Sequence, residues 1–278
     1  MDMDQCLGHM FDGWARDLMS TPPVIDKWQV EQLKADIVDG PYRDEYRKLP
    51  IVDNGEPLVA CSNYGIVSKD YYFNKLADGE MVFFPALEKK LFYPVAWLRK
   101  TVAESLQKAD RLLRGHGLFL VVNSGWRHPQ VQELAIEWSK KFHGEKETTR
   151  RYANVDPNRP KSVVPHQTGG ACDLELWSLL LNKSLTRMKK NDEIRFYELE
   201  MKNNLTNDET ERRFVRRILF HVLTTPKVCL DEKHVFLIHP GEFWHFGFGD
   251  PLTAYFRHEP CAIYGSIEPP KDYNMYSF

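Results

Sequence analysis

Between Pro94 and Arg114 the apolar residues Val95, Leu98, Val102, Leu106, Ala109 and Leu113 recur at three- and four-residue intervals. That period predicts an amphipathic helix, with Gly115 and Gly117 just past its end as stop signals. The next five residues, Leu118 to Val122, are all apolar and read as a buried strand. The strand delivers Asn123-Ser124-Gly125-Trp126-Arg127 to its C-terminal edge. Pro129 opens a second helix, with Val131, Leu134, Ala135, Trp138 and Phe142 on one face and the proline early, where its missing N–H costs nothing.

The rest of the chain extends this pattern. Short β-prone runs, Leu58 to Cys61 and Met81 to Phe84, alternate with turn formers Asn63, Gly65, Asp78 and Gly79. A polar, basic interval from Gly144 to Val164 reads as a surface excursion that ends by presenting His166. A strand is expected at Ala171–Trp177, a polar helix-prone stretch at Lys189–Lys202, and a better helix at Asp208–Leu223. Then follow a strand at His234–Ile238, a Pro240-Gly241 turn and a strand carrying Glu242 and His245. The tail from Glu268 to Phe278 reads as extended. The expected fold is α+β, a central antiparallel sheet flanked by helices in one compact domain over residues 58–278. Residues 1–57, rich in Pro and aromatics, with a helical period only over Trp28–Val38, read as an extension wrapping that core.

Composition narrows the partners. Lys plus Arg (37) nearly cancel Asp plus Glu (39), and the net charge of −2 supports neither a nucleic-acid footprint nor attraction to a membrane surface. The five cysteines, Cys6, Cys61, Cys172, Cys229 and Cys261, are scattered and unpaired in sequence, which fits reduced thiols. No run approaches ~18 apolar residues, and the acidic N-terminus is unlike a secretory signal, so a cytoplasmic location is expected.

The chemistry gathers in two stretches. Pro165-His166-Gln167-Thr168-Gly169-Gly170-Ala171-Cys172-Asp173 places an imidazole and a carboxylate seven residues apart, across two glycines that permit a tight fold. Gly241-Glu242-Phe243-Trp244-His245-Phe246 supplies a second pair three apart. His166, Asp173 and His245 make a three-ligand metal set, with Glu242 left over as a base. Such a set leaves a fourth position where water is acidified to a pKa near ~7. Glu242 would take the proton from that water. Arg127, at the exit of a buried strand, is the candidate for stabilising the charge on a tetrahedral intermediate. One geometric condition attaches: strict strand alternation would put Glu242 and His245 on opposite faces, so a bulge, a turn or a strand start must bring them together.

Each residue also has a plainer reading. His or Asp beside glycine is commonly a turn or capping residue, E-x-x-H among aromatics arises by chance, and a strand-end Arg is commonly a structural ion-pair partner. Cys172 points to the face opposite Asp173 and reads as a structural thiol. Glu175 shares Asp173's face, where it is either a solvated carboxylate or a binder of a substrate ammonium. His221, His234 and His239 read as satisfied core or surface histidines, and Arg212-Arg213 with Arg216-Arg217 as a solvated helix face.

Taken together, Ser124-Gly125-Trp126-Arg127, His166-x-x-Gly169-Gly170-Ala171-x-Asp173 and Glu242-Phe243-Trp244-His245-Phe246 resemble the D-alanyl-D-alanine dipeptidase and D,D-carboxypeptidase family of zinc peptidases. The match spans about Leu118 to Asp250. The resemblance implies the zinc fold shared with hedgehog-type domains. It also implies one zinc ion per chain on His166, Asp173 and His245, Glu242 as general base and Arg127 as transition-state stabiliser. Two positions depart from the pattern: Val164 stands where the dipeptidases have serine, and His128 separates Arg127 from Pro129.

The expected function is zinc-dependent hydrolysis of a short peptide, with D-Ala-D-Ala the leading substrate and a peptidoglycan stem peptide the alternative. Two other readings remain open: a non-haem iron oxygenase, which also uses two His and a carboxylate, and a non-catalytic zinc-binding module.

Overall fold

The computed structural model describes residues 12–35, 42–68, 95–151, 163–186, 196–239 and 241–268. In chain order the helices α1 (Gly13–Ser20), α2 (Lys27–Ala35) and α3 (Tyr42–Glu45) precede strands β1 (Leu58–Ala60), β2 (Val67–Ser68) and β3 (Trp97–Arg99). Then come α4 (Lys100–Gly115), β4 (Leu118–Ser124), α5 (Pro129–Arg151), β5 (Ala171–Ser178) and β6 (Lys183–Ser184). The chain continues through α6 (Phe196–Met201), α7 (Asn207–Thr224), β7 (Leu237–Ile238), β8 (His245–Gly247) and α8 (Pro251–Phe256). The expected strand at Met81–Phe84, the start of the 189–202 stretch and the tail beyond 268 lie outside the described residues.

The fold is α+β, as expected. Its main sheet runs β2-β4-β5-β8-β7, with β6 added to β5, and every pair is antiparallel except β2 with β4, which is parallel. The sheet is therefore mixed at one edge. β4 and β5 form its centre, paired from Leu118↔Ser178 to Ser124↔Asp173, with a register shift between Val122 and Ser124.

Alternation decides which face is core. Along β5 the even-numbered residues Cys172, Leu174, Leu176 and Ser178 are buried, while Asp173, Glu175 and Trp177 are only half-buried. Cys172, Leu174 and Leu176 join Leu118, Leu120, Val122 and Phe246 under Leu106, Leu113, Ile218 and Val222. Each of these aliphatic side chains, fully buried, contributes roughly 1.5–3 kcal/mol relative to exposure. The opposite face carries the polar residues and, as shown below, the site.

Three expectations need correction. The helix begins at Lys100, because Trp97–Arg99 is a strand paired with Leu58–Ala60. The Trp97 carbonyl accepts from the Trp126 amide at 2.7 Å, and the Arg99 amide donates to the Gly169 carbonyl at 2.9 Å. A helix there would forfeit these bonds. Leu98 fits the helical period only because it is buried from the strand. Second, α5 runs on to Arg151 across a non-helical Gly144, so the polar interval is helical at its start. Third, Arg216 and Arg217 are not solvated: they are 2% and 7% exposed. Arg216 lies 3.5 Å over the Phe243 ring, and Arg217 pairs with Glu200 at 2.7 Å.

The N-terminal helices lie on this core. Ala15 and Met19 of α1 belong to the main cluster, and Tyr42 and Tyr46 pack with Leu252 and Phe256 of α8.

Candidate metal centre and active site

His166 sits in a 3-10 turn, Pro165–Thr168, closed by Gly169 in the left-handed conformation at φ 70°. A side chain at Gly169 would overlap Leu58, and one at Gly170 would overlap the Phe248 carbonyl, so both positions require glycine. The turn is pinned from below: Arg127's amide donates to the His166 carbonyl at 3.0 Å. The His166 ring Nδ1 meets the Gly125 carbonyl at 2.8 Å. Because that carbonyl can only accept, Nδ1 carries the proton and Nε2 presents its lone pair.

Asp173 and His245 are register partners across β5 and β8, so both side chains rise on the same face of the sheet. Asp173 Oδ1 lies 3.4 Å from His166 Nε2 and 3.4 Å from His245 Nδ1. One ligand atom from each residue falls within 4.8 Å of the others. Two tetrahedral ligand atoms at ~2.0–2.1 Å from a zinc ion stand roughly 3.3–3.4 Å apart. Asp173 Oδ1, although buried, accepts no hydrogen bond. An orphaned carboxylate oxygen at that spacing from two imidazole nitrogens costs free energy unless a cation satisfies it. The residues present therefore fit a zinc ion.

The electrostatics agree. Burial opposes charge on Asp173, yet His166 and His245 outweigh it and hold its carboxyl far below the ordinary range. Burial lowers the His166 pKa. His245 is buried too, but Asp173 more than compensates and its pKa is raised.

Glu242 meets the geometric condition by standing outside the strand. Residues 241–244 form a turn, with Glu242 N donating to the His239 carbonyl at 2.9 Å and His245 N to the Glu242 carbonyl at 3.1 Å. The turn returns Glu242 Oε2 to 3.5 Å from His245 Nδ1, on the rim of the site with 38% of its side chain accessible. Burial raises its pKa, and the Asp173 charge adds to this against the opposing His245 and Arg127. A carboxylate tuned upward is suited to accept and return a proton.

Arg127 is 8% exposed and reaches within 3.8 Å of Asp173 Oδ2. Gln132 of α5 accepts from its Nη1 at 2.7 Å and Ser124 Oγ from its Nη2 at 3.1 Å. These two orienting residues were not legible beforehand. Ser124 belongs to the Ser124-Gly125-Trp126-Arg127 motif, in which only the arginine suggests a role, and a glutamine early in a helix carries no pattern that marks it. His239, read as a satisfied histidine, has its ring centroid 5.8 Å from that of His245. His221 is satisfied as expected, by Thr225 Oγ1 at 3.0 Å and the Thr21 carbonyl at 2.9 Å. Cys172 faces the core, away from the metal set.

A curated protein, the D-alanyl-D-alanine dipeptidase of Synechocystis sp., is 29% identical over 126 residues, covering 41% of this chain and 48% of that protein. The chain resembles D-alanyl-D-alanine dipeptidases. The motif-based resemblance thus recurs in a whole-sequence comparison, although the chain spans only about half the length of that relative. A solved structure described as the LdcB LD-carboxypeptidase aligns over 74% of this chain and 80% of its own, at 18% identity and a TM-score of 0.34. A likeness at that score carries no argument. No family model matches.

Proposed function

We propose that this protein is a zinc metallopeptidase that hydrolyses short peptides, D-Ala-D-Ala foremost. The observation supporting this reading is the convergence of Asp173 Oδ1 with both imidazole nitrogens at 3.4 Å, beside a carboxylate that is no part of the triad. In this reading His166, Asp173 and His245 hold one zinc ion, which supplies a Lewis acid for the scissile carbonyl and an acidified water. Glu242 takes a proton from the attacking water and returns it to the departing amine, so its rise in pKa matches both halves of the task. Arg127, fixed by Gln132 and Ser124, holds a cation beside the triad where oxyanion charge develops. In the same reading residues 58–278 form the peptidase domain and 1–57 an extension of it.

The iron oxygenase alternative gives Glu242 no task, and the non-catalytic alternative predicts zinc without turnover. The test is zinc-loaded protein against D-Ala-D-Ala, other dipeptides and a stem peptide, with released amino acids quantified. Release from dipeptides marks a dipeptidase, release only from the stem peptide marks a carboxypeptidase, and release from none rejects the proposal.

A further inference from the structure

Glu175 is a carboxylate on the site face that nothing so far uses. It lies two residues beyond Asp173 on β5, pointing to the same side of the sheet, and is half-buried. Among the described residues its polar partner is the Trp177 indole, whose Nε1 donates to Glu175 Oε2 at 2.8 Å. Among the described residues it forms no ion pair. The residue opposite it on β4 is Val121, fully buried and apolar. Along the other edge of β5, β8 reaches only to Asp173 and β6 begins at Trp177, so Glu175 falls between the two neighbouring strands. The result is a half-buried anion with one oxygen fixed by an indole N–H and the other able to accept, at an interruption in the sheet beside the metal set.

A half-buried carboxylate without a cation is costly for stability. Among the described residues no cation pairs with it, which leaves a ligand to supply one. We propose that Glu175 is a cation subsite, holding an ammonium group of the peptide that lies two strand residues, ~6.7 Å, from the scissile bond on its amino-terminal side. An extended peptide with its reacting carbonyl at Asp173 would bring the α-ammonium of the second residue before the bond, or the side-chain ammonium of the first, to that distance. The proposal rests on the peptidase reading and adds to it a preference among longer or lysine-bearing peptides, since the one ammonium of D-Ala-D-Ala lies too near the bond to reach Glu175.

The experiment compares kcat/KM of zinc-loaded protein for two matched pairs. One is the D-alanine tripeptide with its amino terminus free or acetylated, which tests the α-ammonium. The other is an acetylated dipeptide with lysine or norleucine before the scissile bond, which tests the side-chain ammonium. Wild type is expected to favour the ammonium member of at least one pair by roughly ten- to a hundred-fold, the range for a hydrogen bond to a charged group. Glu175→Gln keeps the shape and removes the charge, and should bring that ratio close to one. Trp177→Phe, which releases the carboxylate without removing it, should reduce the ratio by a few-fold. Wild type without preference in either pair, or a preference that survives Glu175→Gln, would overturn the subsite. If wild type hydrolyses none of the four peptides and leaves D-Ala-D-Ala intact as well, the peptidase reading has failed; if it hydrolyses D-Ala-D-Ala alone, that reading stands. Equilibrium binding of the same peptides to wild type and Glu175→Gln then decides the subsite, and an unchanged difference in Kd rejects it.

Discussion

At the scale of single residues, the two proposed catalytic groups should fail differently. Glu242 touches none of the groups proposed to hold zinc closely enough to bond it, its nearest approach being 3.5 Å to His245 Nδ1. Glu242→Ala is therefore expected to bind zinc at wild-type stoichiometry while kcat falls by about 10²–10⁴, the usual worth of a positioned proton carrier. Metal content and kcat measured on one preparation check this, and loss of both together would make Glu242 a ligand instead. Arg127→Ala removes a fixed cation, for which a loss of about 10²–10³ in kcat is expected. Gln132→Ala leaves the guanidinium in place with one anchor at 2.7 Å removed. Its kcat should fall less than in Arg127→Ala, and an equal loss would show that orientation is everything.

At the scale of elements, the His166 turn is held by a second buried cation. Arg99 is 1% exposed; its Nε donates to the Thr168 carbonyl at 2.7 Å and its Nη2 to Asp53 at 2.6 Å and the Gly265 carbonyl at 3.1 Å. Its Nη1 also reaches the Glu56 carbonyl. One side chain thus joins the N-terminal segment, the turn carrying His166 and the segment after α8. Arg99→Met would strand several acceptors at once and is expected to cost about 3 kcal/mol or more, read from denaturant midpoints.

Asp53 gives this network a pH signature. Partial burial alone would raise its pKa, but the Gly265 and Gly55 amides and Arg99 outweigh that and lower it. A carboxyl with a depressed folded pKa contributes stability that is complete above its unfolded value near ~3.9 and is lost as pH falls through the folded value. Asp53→Asn should therefore flatten the fall of stability below about pH 4, and an unchanged acid limb would remove Asp53 from the account.

The same elements show what could be read from the sequence. The stretches carrying His166, Asp173 and His245 stood out by their glycine and strand-forming neighbours, but local rules left each residue a plainer reading, and only their occurrence together marked a ligand set. Trp97–Arg99 was not legible, since Leu98 satisfies a helical period and a strand period equally and only pairing with β1 decides. Arg216 was misread as solvated because a charge on a helix reveals nothing of the ring it stacks on, here Phe243 in the turn between Glu242 and His245. Long-range contacts of this kind have no local signature.

For the whole molecule, zinc and stability should be linked. The orphaned Asp173 oxygen lies between β5, β8 and the turn before β5, so an ion there would bind the folded chain and not the unfolded one. Free zinc at a thousand times its Kd should add about 4 kcal/mol to unfolding, and a chelator should remove it. Thermal unfolding with and without chelator checks this, and His245→Ala should abolish the difference.

None of the described helices is long and apolar enough to cross a membrane. The most direct measurement is a titration of metal-free protein with zinc, following alanine released from D-Ala-D-Ala. The account predicts that activity is absent at the start, rises linearly and breaks at one zinc per chain. Activity indifferent to zinc, or a fully loaded protein that releases no alanine, would contradict it.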